Sequence, residues 1–245
     1  MLSTAYLLVM SLIAGILTGI IGMASLTLYP VLLSVGVLPV SANATITIAT
    51  VGAGTTISSL KELKHHWGSA VLVAILSTCG SVCGALILTR SSNAGFQKIV
   101  PVFILLAGVL LLWPASKQGR QQSLRFAWFL DWAGVILIGL YNGYFGAASG
   151  LLMIAVLSKA IGGEYTTYNA VRNFASLVNN ICSAVIFICT IRIQWSIIGF
   201  LLFGLLVGGY LGPIIVRYIP STMIKKTVGV IAILLAMVLA WQAAH

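Results

Sequence analysis

Arg172 is the residue whose setting says most about chemistry. It stands in Asn169-Ala170-Val171-Arg172-Asn173, six residues into an apolar stretch spanning 166–191. A guanidinium inside such a segment is costly in a membrane unless it is paired or hydrated. The chain offers three carboxylates for pairing, Glu62, Asp131 and Glu164, and each lies at the edge of an apolar stretch. Two readings stay open. The partner is a small anion, such as a carboxylate, sulfonate or sulfite, bound through two hydrogen bonds to the planar fork. Alternatively the side chain snorkels to the interface, because six residues of helix rise only about 9 Å.

A second pattern points the same way. Gly15-x-x-x-Gly19-x-x-Gly22-x-Ala24-Ser25 recurs 124 residues later as Gly139-x-x-x-Gly143-x-x-Gly146-x-Ala148-Ser149. Glycines let a helix break at low cost. A break frees backbone N–H groups at the start of the next half-helix, where the dipole attracts negative charge. Ser25 and Ser149 stand where an N-cap hydroxyl would add a donor. Ala24, Ser25, Ala148 and Ser149 are therefore candidate anion contacts, and Gly19, Gly22, Gly143 and Gly146 candidate hinges of the breaks. The competing reading is that these small residues merely let helices approach closely. Asn43, Asn169 and Asn173 are amides within apolar stretches and need partners there. Asn43-Ala44 and Asn169-Ala170 hold corresponding places, which makes both asparagines, with Asn173, candidate lining of a hydrated cavity, while Asn179 and Asn180 read as structural.

Other chemistry is poorly provided for. Three boundary acids cannot form an intramembrane acid/base pair. Cys79, Cys83, Cys182 and Cys189 all fall in apolar segments without a Cys-x-x-Cys spacing, reading as small core residues. His65 and His66 are adjacent in a basic loop and do not make a metal site alone. No enzyme activity, cofactor or metal is expected.

The elements that must position these residues follow from composition. Of 245 residues, 60% are apolar and 7% charged, with a mean hydropathy of +1.11. A water-exposed domain carries about a quarter charged residues, so the chain is a membrane protein. Its net charge of +10 comes from basic residues scattered singly or in small groups between apolar stretches. That pattern fits topology and lipid headgroups, not nucleic acid. The start, Met1-Leu2-Ser3-Thr4, lacks the positive region of a cleavable signal, so the first apolar segment is expected to stay.

Apolar stretches cover 5–38, 42–60, 68–89 and 96–113, then 127–161, 166–191, 195–216 and 224–244. Trp67, Gly80, Gly84, Lys98 and Trp113 recur as Trp195, Gly208, Gly212, Lys226 and Trp241, all at an offset of 128. Two membrane repeats are expected, 1–114 and 127–245, joined by a cytoplasmic linker over 115–126. The first stretch of each repeat has 34 or 35 residues, about 51 Å of helix against a hydrocarbon core of about 30 Å. Each is therefore a hairpin or a discontinuous helix, with the glycine cluster at its middle. Trp67, Trp113, Trp128, Trp195 and Trp241 fall at segment ends as interfacial anchors.

The basic residues choose between topologies. With every stretch crossing once, the two sides carry six basic residues each. With each long segment folding back, one side gathers Lys61, Lys64, Lys117, Arg120, Arg125, Lys159, Arg217, Lys225 and Lys226, and the other Arg90, Lys98 and Arg192. The second arrangement obeys the positive-inside rule. It makes the repeats inverted in topology, puts both termini outside, and would bring the two breaks face to face near the midplane. The expected fold is thus all-α and polytopic, two inverted repeats, each a glycine-broken first segment followed by three transmembrane helices.

The glycine-containing breaks, the duplicated halves and the size together resemble the sulfite exporter TauE/SafE family of bacterial membrane permeases. The resemblance spans essentially the whole chain and is most specific over 15–30 and 139–150, followed by Asn43 and Asn169. It implies a secondary transporter in the bacterial inner membrane that moves small anions such as sulfite, sulfonates or carboxylates. Where the family often has consecutive glycines, this chain has Met23, Ala24 and Ser25, and Ala147, Ala148 and Ser149, which leave less room beside the backbone. The resulting expectation is an exporter working by alternating access around a central site. Arg172 would be the main cationic contact, with Ser25 and Ser149 as helix-end donors and Asn43, Asn169 and Asn173 as lining. A passive anion channel, or an importer of the same substrates, are the alternatives. The expected partners are the small anion, membrane lipids and a coupling proton or sodium ion, with a homodimer left open.

Overall fold

The structure, a computed structural model, describes residues 2–112, 124–161 and 164–216, and beyond them 230, 233–234, 236–238 and 241. The expected linker lies almost wholly outside these residues, as does most of the last apolar stretch. Every regular element among the described residues is a helix. The first half contains α1 (Leu2–Ile21), α2 (Ala24–Ser34), α3 (Pro39–Val51), α4 (Thr55–Ser58), α5 (Leu60–Leu63), α6 (Trp67–Thr89) and α7 (Asn93–Leu112). The second contains α8 (Leu124–Tyr144), α9 (Ser149–Ala160), α10 (Tyr165–Thr190) and α11 (Trp195–Val216). Within α1, α6, α10 and α11 lie stretches long and apolar enough to cross a bilayer. The chain is an all-α, multi-pass membrane protein.

Both long apolar segments are broken at the glycine clusters. Gly22 and Gly146 each turn the chain at φ +75°, a conformation that a Cβ disfavours. The first break closes within two residues, since α1 ends at Ile21 and α2 starts at Ala24, whereas the second takes four between α8 and α9.

The first half departs from expectation at residues 42–60, which do not form one helix. α3 stops at Val51, and Gly52, Ala53 and Gly54 separate it from α4. α11 presses into this gap: a Cβ on Gly54 would lie 2.7 Å from the Leu206 carbonyl oxygen. The corresponding residues of the second half, Val178 and Asn180, carry side chains, and α10 runs through unbroken.

Small residues decide which helices meet. α1 lies along α11, and α6 along α8. A Cβ on Gly15 would stand 3.0 Å from Gly208 Cα, and one on Gly19 2.7 Å from Gly212 Cα. In the second pair, Gly80 and Gly84 abut the carbonyls of Ile136 and Leu140, while Gly139 and Gly143 abut those of Ser77 and Ser81. Lipid tails are as apolar as leucine, so helix association in a membrane relies on such close packing and on interhelical hydrogen bonds. By the sequence offsets of 124 and 128, α1 aligns with α8 and α11 with α6, so each glycine-broken helix packs on a helix from the other half of the chain. α10 joins the pairs, touching α6 and α3. Ser77 Oγ and Thr78 Oγ1 donate to Asn179 Oδ1 at 3.1 and 2.7 Å, and the Ser81 and Ser183 hydroxyls bond at 3.0 Å.

The cysteines are not core residues. Cys79, Cys83 and Cys189 are exposed and Cys182 is partly so. In a membrane an apolar side chain gains nothing by turning inward from lipid, so apolar surroundings in sequence do not imply burial in protein. Trp67 and Trp195 begin α6 and α11 and are exposed, as interfacial anchors require; the side chains of Trp113 and Trp128 lie outside the described residues.

Candidate functional site where the two breaks meet

The breaks face one another. A Cβ on Gly150 would lie 2.7 Å from Gly22 Cα and 3.0 Å from Arg172 Nη1. Beside this contact is a cavity of about 50 Å³. Thr18, Gly22, Ala24 and Ser25 line it from the first break, and Asn142, Gly146, Ser149 and Gly150 from the second. Thr47, Thr50, Ala53 and Thr55 enclose it from α3, the gap that follows it and α4, and Arg172, Asn173, Ser176, Leu177 and Asn180 from α10. Much of this lining is paired at fixed sequence offsets: Thr18 with Asn142, Gly22 with Gly146 and Ser25 with Ser149 at 124, and Thr47 with Asn173 and Thr50 with Ser176 at 126.

The first turns of α2 and α9 both border the cavity. Helix starts expose N–H groups without intrahelical acceptors and carry the positive end of the dipole. None of Glu62, Asp131 and Glu164 is among the lining residues, so the cavity is walled by neutral polar and apolar groups, helix starts and one cation.

The serines are not N-caps. The capping positions are Met23 and Ala148, neither of which makes a side-chain cap bond. α2 has already begun when the chain reaches Ser25, and Ser149 is the first residue of α9, with its Oγ donating to Asn142 Oδ1 at 2.6 Å. Ala148 supplies the turn into α9 at φ 58° and does not line the cavity, whereas Ala24 does.

Arg172 is 1% exposed, which excludes snorkelling to an interface. Its Nη1 donates to Thr18 O at 3.0 Å, and its Nη2 to Gly19 O at 3.4 Å and to Asn169 Oδ1. The guanidinium thus caps the end of α1, where the dipole is negative. Its Nε has no acceptor among the described residues. Two more residues hold the same helix end: Asn169 Nδ2 donates to Gly19 O at 3.1 Å and the Tyr165 hydroxyl to Ile20 O at 2.7 Å. Tyr165, Asn169 and Arg172 recur at i, i+4 and i+7, one face of α10.

The structure therefore separates the sequence candidates. Arg172, Asn173, Ala24, Ser25, Ser149, Gly22 and Gly146 converge on the cavity. Asn169 and Asn43 do not line it; each ties down the end of the other half's broken helix, Asn43 by donating to Tyr144 O at 3.0 Å. Gly19 and Gly143 lie inside α1 and α8 and serve packing against α11 and α6, so the first break turns on Gly22 and the second on Gly146 and Ala148. Asn173 Nδ2 donates to Ser59 Oγ at 2.9 Å, and its buried Oδ1 has no donor among the described residues.

Sequence reasoning missed Asn142 and Thr50, and it read Asn180 as structural although Asn180 lines the cavity. They continue a hydrogen-bonded chain from Ser149 around the cavity: Asn142 Nδ2 to Asn180 Oδ1 at 3.4 Å, then Asn180 Nδ2 to Thr50 Oγ1 at 3.0 Å. The available signal was the pairing of Thr18 with Asn142 one turn before each break. Tyr165 was missed too, although the helical spacing to Arg172 was readable. Among the described residues no group of three or more His, Cys, Asp or Glu could hold a metal ion.

Comparison with known proteins places these features in context. The family described as Sulfite exporter TauE/SafE matches residues 7–239. A probable membrane transporter protein of Haemophilus influenzae is 23% identical over 236 residues, covering 94% of this chain and 92% of its own. The probable membrane transporter protein YfcA of Escherichia coli strain K12 is 26% identical over 207 residues, covering 82% and 75%. No solved structure matches the chain.

Proposed function

The chain belongs to the sulfite exporter TauE/SafE family and is a membrane transporter, and from that premise we propose that it carries a small sulfur-containing or carboxylate anion through the cavity between Gly22 and Gly150. The observation that carries this reading is Arg172 Nε, a buried cationic N–H without an acceptor, beside a cavity that holds no carboxylate. The two helix starts add positive potential. A volume of about 50 Å³ admits a few waters or a small oxyanion, since about 10–15 Å³ of such space holds one water.

The role of Arg172 is narrower than a free bidentate clamp. Two of its nitrogens are spent on α1, so the substrate receives its field and its Nε, and Ser25, Ser149 and Asn173 supply polar contacts. Alternating access suits the packing: the α1–α11 and α6–α8 pairs flank the cavity and can rock about it as units. The nine-to-three distribution of basic residues supports inverted repeats in the inner membrane, with termini outside and the 115–126 linker in the cytoplasm. Export as the direction follows the family name alone.

The test is thermal stability of the purified protein against sulfite, sulfonates, small carboxylates and phosphate, for wild type, Arg172→Lys and Arg172→Met. A ligand at 100 times its Kd stabilises by about 2.7 kcal/mol. One anion class should stabilise wild type, less so Arg172→Lys, and not Arg172→Met. An unchanged anion response in Arg172→Met overturns the assignment. In proteoliposomes the flux should saturate and be stimulated by anion on the opposite side; flux linear in concentration would make the protein a pore. Reaction of a single cysteine in the linker with an impermeant reagent added outside intact cells, in a variant lacking the native four, would overturn the orientation.

A further inference from the structure

The two broken helices end in unlike company. At the end of α1, the carbonyls of Thr18 and Gly19 and the amide oxygen of Asn169 all accept from the Arg172 guanidinium. Their counterparts at the end of α8 are the carbonyls of Asn142 and Gly143 and the amide oxygen of Asn43. Among the described residues the Asn43 Oδ1 has no donor, and no turn or loop N–H bonds the Asn142 or Gly143 carbonyl. The Gly146 N–H, which a continued helix would aim at Asn142 O, bonds Tyr141 O at 3.0 Å instead. Asn43 is 1% exposed and is held at the helix end by its own Nδ2. The residue corresponding to Arg172 is Ile46, buried and uncharged.

A buried acceptor without a partner, such as Asn43 Oδ1, is costly, and the C-terminal end of a helix attracts a cation. We propose that Asn43 Oδ1 and the carbonyl oxygens of Asn142 and Gly143 bind a sodium ion, so that an exchangeable cation does at the end of α8 what Arg172 does at the end of α1. The ligand chemistry favours that ion. All three oxygens are neutral and hard, whereas divalent calcium or magnesium calls for carboxylates and softer metals for nitrogen or sulfur. None of the three titrates, so they cannot hold a transported proton. Carbonyls at half-helix ends are a recurring way of binding coupling ions. The link to transport rests on the reading above: Asn142 borders the substrate cavity, so sodium would raise anion affinity and the anion sodium affinity by the same factor.

The experiment is binding of radioactive sodium to the purified protein without any substrate anion, for wild type, Asn43→Ala and Asn43→Asp. Binding should saturate at one ion per chain, be displaced by lithium more readily than by potassium, and be unaffected by choline. Asn43→Ala should weaken it at least tenfold, and Asn43→Asp, which keeps an oxygen and adds charge, should tighten it. Absence of saturable binding to wild type, displacement by potassium as readily as by lithium, or equal affinity in wild type and Asn43→Ala overturns the site. Should Asn43→Ala not fold, unchanged affinity in Asn43→Asp overturns it as well. Anion stabilisation undiminished in choline medium, with no sodium bound, would end this proposal and leave the anion site standing. Sodium binding in a protein that no anion stabilises would do the reverse.

Discussion

Replacing Gly22 by alanine separates the two things that glycine does at the first break. Its φ of +75° strains any residue with a Cβ by about 1–2 kcal/mol. The added methyl would also stand 2.5 Å from Arg172 Nη1 and 2.8 Å from Gly150 Cα. The arginine end can move, but the Gly150 backbone cannot without parting the breaks, and overpacking of this kind costs about 1–3 kcal/mol. Gly22→Ala should therefore destabilise by about 2–5 kcal/mol. Gly36→Ala is the matched control, with φ +84° and nothing within 4 Å of the added Cβ; it should lose the strain alone, about 1–2 kcal/mol. In thermal unfolding followed by tryptophan fluorescence, each kcal/mol is worth about 2–4 °C in Tm for a chain of this size. Gly150→Ala should cost the contact without the strain, and the double variant should fall short of additivity by about 0.5–3 kcal/mol because both methyls open the same gap. Equal losses for Gly22→Ala and Gly36→Ala, or simple additivity of Gly22→Ala with Gly150→Ala, would refute the contact between the breaks.

Two further outcomes follow from the same packing. Gly143→Ala should lower Tm by the cost of overpacking, about 1–3 kcal/mol, because its Cβ runs into the Ser81 carbonyl, whereas Gly199→Ala, in α11 with nothing within 4 Å, should gain about 0.5–1 kcal/mol from lost chain entropy; the pair is read side by side in one unfolding series. Tyr165→Phe should cost about 1 kcal/mol through the lost bond to Ile20 O, and an unchanged Tm would remove Tyr165 from the cap of α1.

The solvent and the punctuation of the chain were legible in its residues alone. Charged residues at 7% were too few to cover a water-exposed globule, and glycines in recurring clusters marked where α1 and α8 stop, because those effects depend on composition and local backbone freedom. Arg172 was recognisable for the same reason: a lone cation in an apolar run must be answered by something. Only the tertiary structure decided what answers it. Carbonyls of α1 lie over 150 residues away in the chain, and no local pattern says which helix end a guanidinium will reach. Asn43 and Asn169 read equally well as cavity lining until each was seen holding the other half's broken helix. The gap after α3 escaped notice because Gly52 and Gly54 are tolerable in an apolar helix until α11 leans into them. Likewise the glycine stripes announced close packing without naming partners, since Gly15 and Gly19 present no side chain to match; the exchange of helices between halves is a choice made by whole surfaces, which exist only once the chain has folded.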